Sequence, residues 1–312
     1  MQKVKVMIDY LTLTTKDHDF FLLVKLLGLD QDEISWMQLP GRYGWVDRYY
    51  FSGISILTGV RDDVCLEISG SGCRALEGAC PGFDWLGFLR EFEDGLTARS
   101  PSVSLARLDI AGDDRPGSGE KGMLDLRKMM VHCKHRRYVC KARWRIWIDG
   151  DEQAIYFGSP KSDRRLRIYN KGLEQGIDEH WVRAEFQLRD ANATSFLLNW
   201  FRQEDIGACY GGVLRDFLRF TDRPPAGHSE RAKVCPWWSR FLDSVESCPQ
   251  LYIDGSHYSL MALENFLKKQ TASSLKTWLQ LHDGDMTDLL DMIEGARLNY
   301  RQHQLLAEMQ KG

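Results

Sequence analysis

No Cys-x-x-Cys pair occurs among the eight cysteines, Cys65, Cys73, Cys80, Cys133, Cys140, Cys209, Cys235 and Cys248. Structural zinc sites and thioredoxin-like redox motifs therefore lose their simplest signature. In a chain of this length the thiols read as reduced and partly buried, as in a cytoplasmic protein. No His-x-His pair is present either. His132 and His135 in HCKH have a zinc-compatible spacing, but no second cluster supplies further ligands, so zinc is not expected. No apolar run approaches the roughly 20 residues of a membrane helix, which argues against a membrane partner. The opening MQKVKVMIDYLTLTTKD alternates apolar and polar residues and lacks a small-residue cleavage site, so it reads as a strand and not as a signal peptide. The glycine-rich Ser69–Gly78 lacks the lysine of a P-loop and the spacing of a dinucleotide fingerprint. An overall positive charge is also missing: the net charge is −3.

The cations are present but concentrated. From Arg115 to Lys171 there are fifteen lysines and arginines against six acids. Such a segment is the electrostatic footprint that a phosphate backbone selects. Tyr138, Trp144 and Trp147 are interleaved with Arg143 and Arg145, which suits stacking on unpaired bases and equally suits a core. Within this region lies Ala154–Glu174, AIYFGSPKSDRRLRIYNKGLE, which reads as a hairpin around Gly158-Ser159-Pro160. Strand alternation puts Arg165, Arg167, Tyr169 and Lys171 on one face, with Leu166 and Ile168 on the other. Cations around a phenol favour its nucleophilic phenolate form and can hold a phosphate. On the residues alone, a solvated edge strand with an interfacial tyrosine is the favoured reading, since charge runs usually are solvated faces.

The order of elements is strand, helix, several strands, and it occurs twice. Val4–Thr14, the helix His18–Leu27 and strands at Trp36–Leu39, Tyr49–Leu57 and Val64–Ser69 form the first round. Val103–Ile110, the helix Leu124–Cys133 and strands at Tyr138–Ile148, Ala154–Phe157, Arg165–Tyr169 and Trp181–Leu188 form the second. Alternation through Val4–Thr14 puts Ile8 and Tyr10 on one face and Asp9 and Leu11 on the other. The expected fold is α+β: an antiparallel-sheet domain over residues 1–191, built of similar halves 1–98 and 99–191. A mainly helical region, 192–312, follows, for nucleic-acid binding or structural support. Its Arg215, Arg219, Arg240, Lys268, Lys269 and Lys276 are candidates for reading a duplex groove.

Two further strands bring acids to a polar face. In ARLDIAGDD, Arg107, Asp109 and Ala111 share a face. In WVRAEFQLR, Arg183, Glu185, Gln187 and Arg189 do. If these faces are one sheet face, Asp109 and Glu185 converge with Tyr169, and hard carboxylate oxygens suit Mg²⁺ or Mn²⁺. The alternative is a row of surface ion pairs.

YFGSPKSDRRLRIYNKGLEQG resembles the signature of the trans-acting rolling-circle replication initiators, a Gly-Ser-x-x-Ser turn followed by an Arg-Ile-Tyr-Asp/Asn-Lys strand and a nearby glutamate. RLDIAGDD, WVRAEFQLRD and CLEISGSGCRALE are similar to three further blocks of that family, in the same order. The resemblance implies a nicking and rejoining enzyme of plasmids, phages or integrative elements, located in the cytoplasm of a bacterial host. Tyr169 would be the nucleophile, with Arg167 and Lys171 as the basic residues around it. Asp109 and Glu185 would be the metal ligands for Mg²⁺ or Mn²⁺. Arg143, Trp144, Arg145, Lys161, Arg164, Arg165 and Arg183 are the candidate DNA contacts. The partners expected are single-stranded and duplex origin DNA, a host helicase and polymerase, and a second copy of the chain. A conjugative relaxase of the same chemistry, or a non-catalytic origin-binding regulator on the same fold, are the rival expectations.

Overall fold

The computed structural model describes residues 4–30, 34–60, 62–117, 121–140, 142–149, 152–223, 232–245, 267, 272–296 and 306. The first half runs β1 (Lys5–Thr15), α1 (Phe20–Leu26), β2 (Met37–Pro40), β3 (Asp47–Phe51), β4 (Ile54–Val60), β5 (Asp63–Ile68) and α2 (Gly70–Ala79), and α3 (Trp85–Arg90) and α4 (Glu93–Thr97) then lead onward. The second runs β6 (Val103–Asp114), α5 (Leu126–Lys134), β7 (Tyr138–Cys140), β8 (Trp144–Asp149), β9 (Glu152–Phe157), β10 (Arg164–Asn170), α6 (Lys171–Glu174), β11 (Val182–Arg189) and α7 (Asp190–Gln203). After it come α8 (Ile206–Phe217), β12 (Leu218–Phe220) and α9 (Pro236–Ser244). Short polar side chains start the helices: Asp19, Ser69, Asp84, Asp125, Asn170 and Asp205 each accept an N–H of the first turn.

Ten strands form one sheet in the order β2-β3-β4-β5-β1-β6-β11-β10-β9-β8. In each half the first strand pairs with the last, and the remaining strands follow outward in reverse order. The two first strands, β1 and β6, pair antiparallel at the centre. The whole sheet is antiparallel through every described pair. Alternation gives it one apolar face: Ile8, Leu11, Leu13, Leu66, Ile68, Leu108, Ile110, Ile155, Phe157, Leu166, Ile168, Ala184 and Phe186 are all buried there.

Three expectations are corrected by this arrangement. The predicted strand Tyr49–Leu57 is two strands, because Ser52 and Gly53 both turn at positive φ, 42° and 90°. An added Cβ at Gly53 would lie 2.6 Å from the Gly72 nitrogen, so glycine fits both the turn and the close approach of α2. The predicted strand Tyr138–Ile148 is also two: β7 leaves the main sheet to pair with β12. Alternation through β1 breaks at Asp9, where the register passes from Ile8↔Ile110 to Tyr10↔Asp109. This β-bulge leaves Ile8 and Leu11 both in the core and sends Tyr10 to the opposite face.

The boundary also moves. Helices α7, α8 and α9 are not a separate region after residue 191. Phe196, Leu197, Tyr210, Leu214, Trp238 and Phe241 are buried in the same core as the strands, and Trp238 Nε1 donates to the Leu218 carbonyl at 3.2 Å. The compact unit covers Met1–Leu251, and Tyr252–Gly312 form a second. In the second unit, helices Ala272–Leu281 and Thr287–Glu294 fall within the predicted helical stretches. Lys268 and Lys269 lie outside the described residues, and so does Gln250–His257, which the sequence reads as a hairpin or loop. Among the described residues no helix is long and apolar enough to cross a membrane.

A chain ending at Leu251 is expected to unfold cooperatively within a few degrees of the full-length midpoint in a thermal melt. One ending at Phe220 removes Trp237, Trp238, Phe241 and Leu242 from the core. Large-to-small truncations of single side chains of this kind already cost about 3–5 kcal/mol, so the shorter chain should show no cooperative transition.

Candidate active site

The face of the sheet opposite the apolar one is polar across its central strands. Pairing places Arg107, Asp109, Ala111 and Asp113 of β6 beside Arg183, Glu185 and Gln187 of β11, and these beside Arg165, Arg167 and Tyr169 of β10. Tyr156 of β9 and Arg145 of β8 continue the same face. The sequence alternation is thus realised in this region as read.

Tyr169 lies at the centre of the second half and is 3% exposed. Its hydroxyl donates to Glu185 Oε2 at 3.2 Å. The Arg167 guanidinium carbon sits 3.7 Å from the ring centroid, a cation–π contact. Lys171 Nζ is 5.8 Å from it and pairs with Glu174, which also meets Arg167 at 3.5 Å. The electrostatics run against the expectation of a phenolate. Burial, and next the Glu185 carboxylate, raise the Tyr169 phenol well above its ordinary value, and Arg183 and Arg167 offset this only in part. At rest the residue is a phenol.

Glu185 is the complementary case. Burial, then the neighbouring carboxylates Asp109 and Asp9, push it up to about 7. Asp109 is 1% exposed and raised by burial, and it is held by Arg107 through Nε at 2.9 Å and through Nη2. Arg107 in turn lies over the Tyr10 ring at 4.0 Å. The bulge at Asp9 thus completes this side of the site by presenting Tyr10 to Arg107.

Arg183 is not a DNA contact. It is 4% exposed and fully engaged: Nε and Nη2 bond Asp113 at 2.7 and 2.8 Å, and Nη1 bonds Asp9 at 2.7 Å. Arg164 points to the helical side, pairing with Asp216 at 3.2 Å and lying over Phe217. Trp144 pairs with Phe157 in the ladder, packs edge-on against Tyr138 and is partly buried against the core, so it is no free stacking platform. Arg215, a candidate groove reader, bonds Asp243 at 2.9 Å. Four of the expected contacts remain suitable. Arg143, Arg145 and Lys161 are exposed, and Arg165 lies over Tyr156 at 4.5 Å on the polar face. Sequence reasoning missed Asp9 and Asp113 as partners of Arg183. A bulge leaves no mark in the alternation, whereas Asp113, the first aspartate of GDD, was legible as an acid on that face.

The donor chemistry for a divalent metal is of the right kind. Asp109 and Glu185 are hard oxygen donors, and Asp109 lies close enough to raise the proton affinity of Glu185, a field that a cation relieves. Among the described residues, however, no three Asp, Glu, His or Cys side chains are gathered as a ready cage, and Arg107 already caps Asp109.

The raised Glu185 has a stability consequence. Its folded value of about 7 exceeds the unfolded value of about 4.3. Its contribution is therefore present below the unfolded value and is lost as pH rises through about 7. Glu185→Gln is expected to stabilise the fold by roughly 2 kcal/mol at pH 8 and to change little at pH 4, read by denaturant unfolding at both values.

Comparison with known proteins agrees with this geometry. The family profile described as Replication initiation factor matches residues 103–293, and that of the Rolling Circle replication initiation protein N-terminal domain matches residues 5–91. A candidate DNA relaxase, NicK, of Bacillus subtilis (strain 168) is 27% identical over 325 aligned positions, covering 96% of this chain and 88% of that protein. The solved structure of a rolling circle replication initiator protein from Geobacillus stearothermophilus superposes with a TM-score of 0.65 at 25% identity, covering 78% of this chain and 97% of that one. The chain belongs to the rolling-circle replication initiation factor family.

Proposed function

We propose that the protein cuts one strand at a DNA origin with Tyr169 as the nucleophile and later rejoins it. The observation that carries this reading is the Tyr169 hydroxyl bonded to Glu185, with Arg167 on the ring, on the polar face of the sheet. A phenol of raised proton affinity needs a base at the moment of attack, and a carboxylate tuned to about 7 is matched to that task at neutral pH. Glu185 takes the phenol proton as the phenol oxygen attacks phosphorus. A 5′-phosphotyrosine bond forms, the P–O3′ bond breaks, and the departing O3′ picks up a proton, leaving a 3′-OH that primes a host polymerase behind a host helicase. The reverse attack by a 3′-OH reseals the strand and frees Tyr169.

Asp109 and Glu185 would hold Mg²⁺ or Mn²⁺, whose charge stabilises the negative charge developing on the phosphoryl oxygens. Arg167 offers its cation to the same oxygens, while Arg143, Arg145, Lys161 and Arg165 track the unpaired strand. The same strand transfer would open a transfer origin, and the description of the Bacillus subtilis relative as a candidate relaxase favours keeping that role beside replication.

Incubation with supercoiled DNA carrying the origin and Mg²⁺ or Mn²⁺ is expected to give a covalent adduct on the Tyr169 peptide. Tyr169→Phe should give none while binding the origin with nearly unchanged affinity; adduct formation by that variant would refute the assignment. Glu185→Gln should be slower by at least ~100-fold. Excess chelator should abolish cutting, and full activity in its presence would exclude the metal.

A further inference from the structure

β10 ends between two neighbours that face opposite ways. Tyr169 lies on the polar face, and Asn170 lies on the helical side, where it pairs with Val182. Beside Asn170 a cavity of about 410 Å³ opens, within the size range of small-ligand sites. Its walls are mixed, with Asp125 the one acid of the lining. Leu124, Leu173 and Val182 are apolar, while Lys121, Arg127 and His180 are basic. Lys121 and Arg127 are exposed on its rim.

His180 is fixed in this wall. Its Nε2 lies 3.2 Å from Asp114 Oδ2, and Asp114 is fully buried. The same oxygen accepts the Leu124 N–H at 2.7 Å, so one carboxylate holds both the ring and the loop that closes the cavity. A Cβ on Gly122 would fall 1.9 Å from the His180 Nε2, so only glycine lets the loop pass over the ring. In the neutral imidazole, donation to a carboxylate puts the proton on Nε2 and leaves Nδ1 as the acceptor. None of these groups takes part in the chemistry at Tyr169.

We propose that this cavity is a nucleotide subsite: one unpaired nucleotide of the cut strand, a few positions from the scissile phosphate, turns around the end of β10 and seats here. Its base stacks on the His180 ring and against Leu173 and Val182. A base amine meets Nδ1, and the phosphate rests on Lys121 and Arg127. The proposal rests on the reading that the protein takes single-stranded DNA. It adds a place where a base, not only a backbone, is held, so His180 is a specificity residue and Asp114 a positioning residue behind it.

The test uses the full-length Tyr169→Phe protein, which is not expected to cut, and fluorescence anisotropy with dA, dC and dT dodecamers and a fully abasic dodecamer. One base–aromatic stack is worth about 1–3 kcal/mol, so His180→Ala should weaken binding of at least one base-bearing dodecamer about tenfold and leave the abasic one unchanged. Lys121→Ala should weaken all of them. Leu173→Trp fills the cavity from its exposed side without touching Asp114 and should reproduce the His180→Ala pattern, which guards against a His180 variant that misfolds. Equal binding of every dodecamer by the parent, His180→Ala and Leu173→Trp would overturn the subsite while leaving the nicking reading intact. A parent protein that binds no dodecamer would overturn both.

Discussion

The structure depends on one buried guanidinium. Arg183 of β11 reaches across to Asp113 of β6 with two nitrogens and to Asp9 of β1 with the third, and all three side chains are largely shielded from water. Removing one member of such a set leaves an uncompensated buried charge, at a typical cost of about 3–5 kcal/mol. The clamp ties together the strands that flank the centre of the sheet. It also settles the charge of the site. Asp9 and Asp113 are committed to Arg183 and Asp109 to Arg107, whereas Glu185 has no ion pair among the described residues. The acid without a cation is the one whose proton affinity rises into the neutral range and the one that accepts the phenol proton.

Much of this was legible in the linear pattern. Period-two alternation placed Tyr169, Arg167 and Arg165 on one face and Asp109 and Glu185 on the faces that join it, because those strands are regular and each buries one side. It failed where the backbone departs from regularity. The extra residue at Asp9 inverts the first strand, and nothing in MIDYLTL distinguishes a bulge from a straight run. The turn at Ser52-Gly53 was passed over because its flanks are both rich in β-formers.

Charge was the less faithful guide. Arg143, Arg145 and Lys161 are exposed as a nucleic-acid surface requires, yet Arg164 of the same basic stretch and Arg183 beyond it serve the fold. A sequence shows that a cation is present but not which acid will meet it from a distant strand. The reading of the phenol failed for a related reason. Counting neighbours by sign predicts a phenolate, while burial, which periodicity alone does not quantify, outweighs the cations and keeps the proton on.

The repeated winding of the sheet has a consequence for how the site is partitioned. The tyrosine, its glutamate and both arginines that steady it belong to the second half, but the third ligand of Arg183 comes from the first half, across the β1–β6 seam. Cut at that seam, the second half would expose the full edge of β6 and leave one guanidinium nitrogen of Arg183 facing solvent where Asp9 had been. The first half therefore acts as a tethered subunit: its β1 is held beside β6 by a covalent linker, at an effective concentration that two free chains would rarely reach. The chemistry resides in one half, and the shape that makes it possible is a property of the pair.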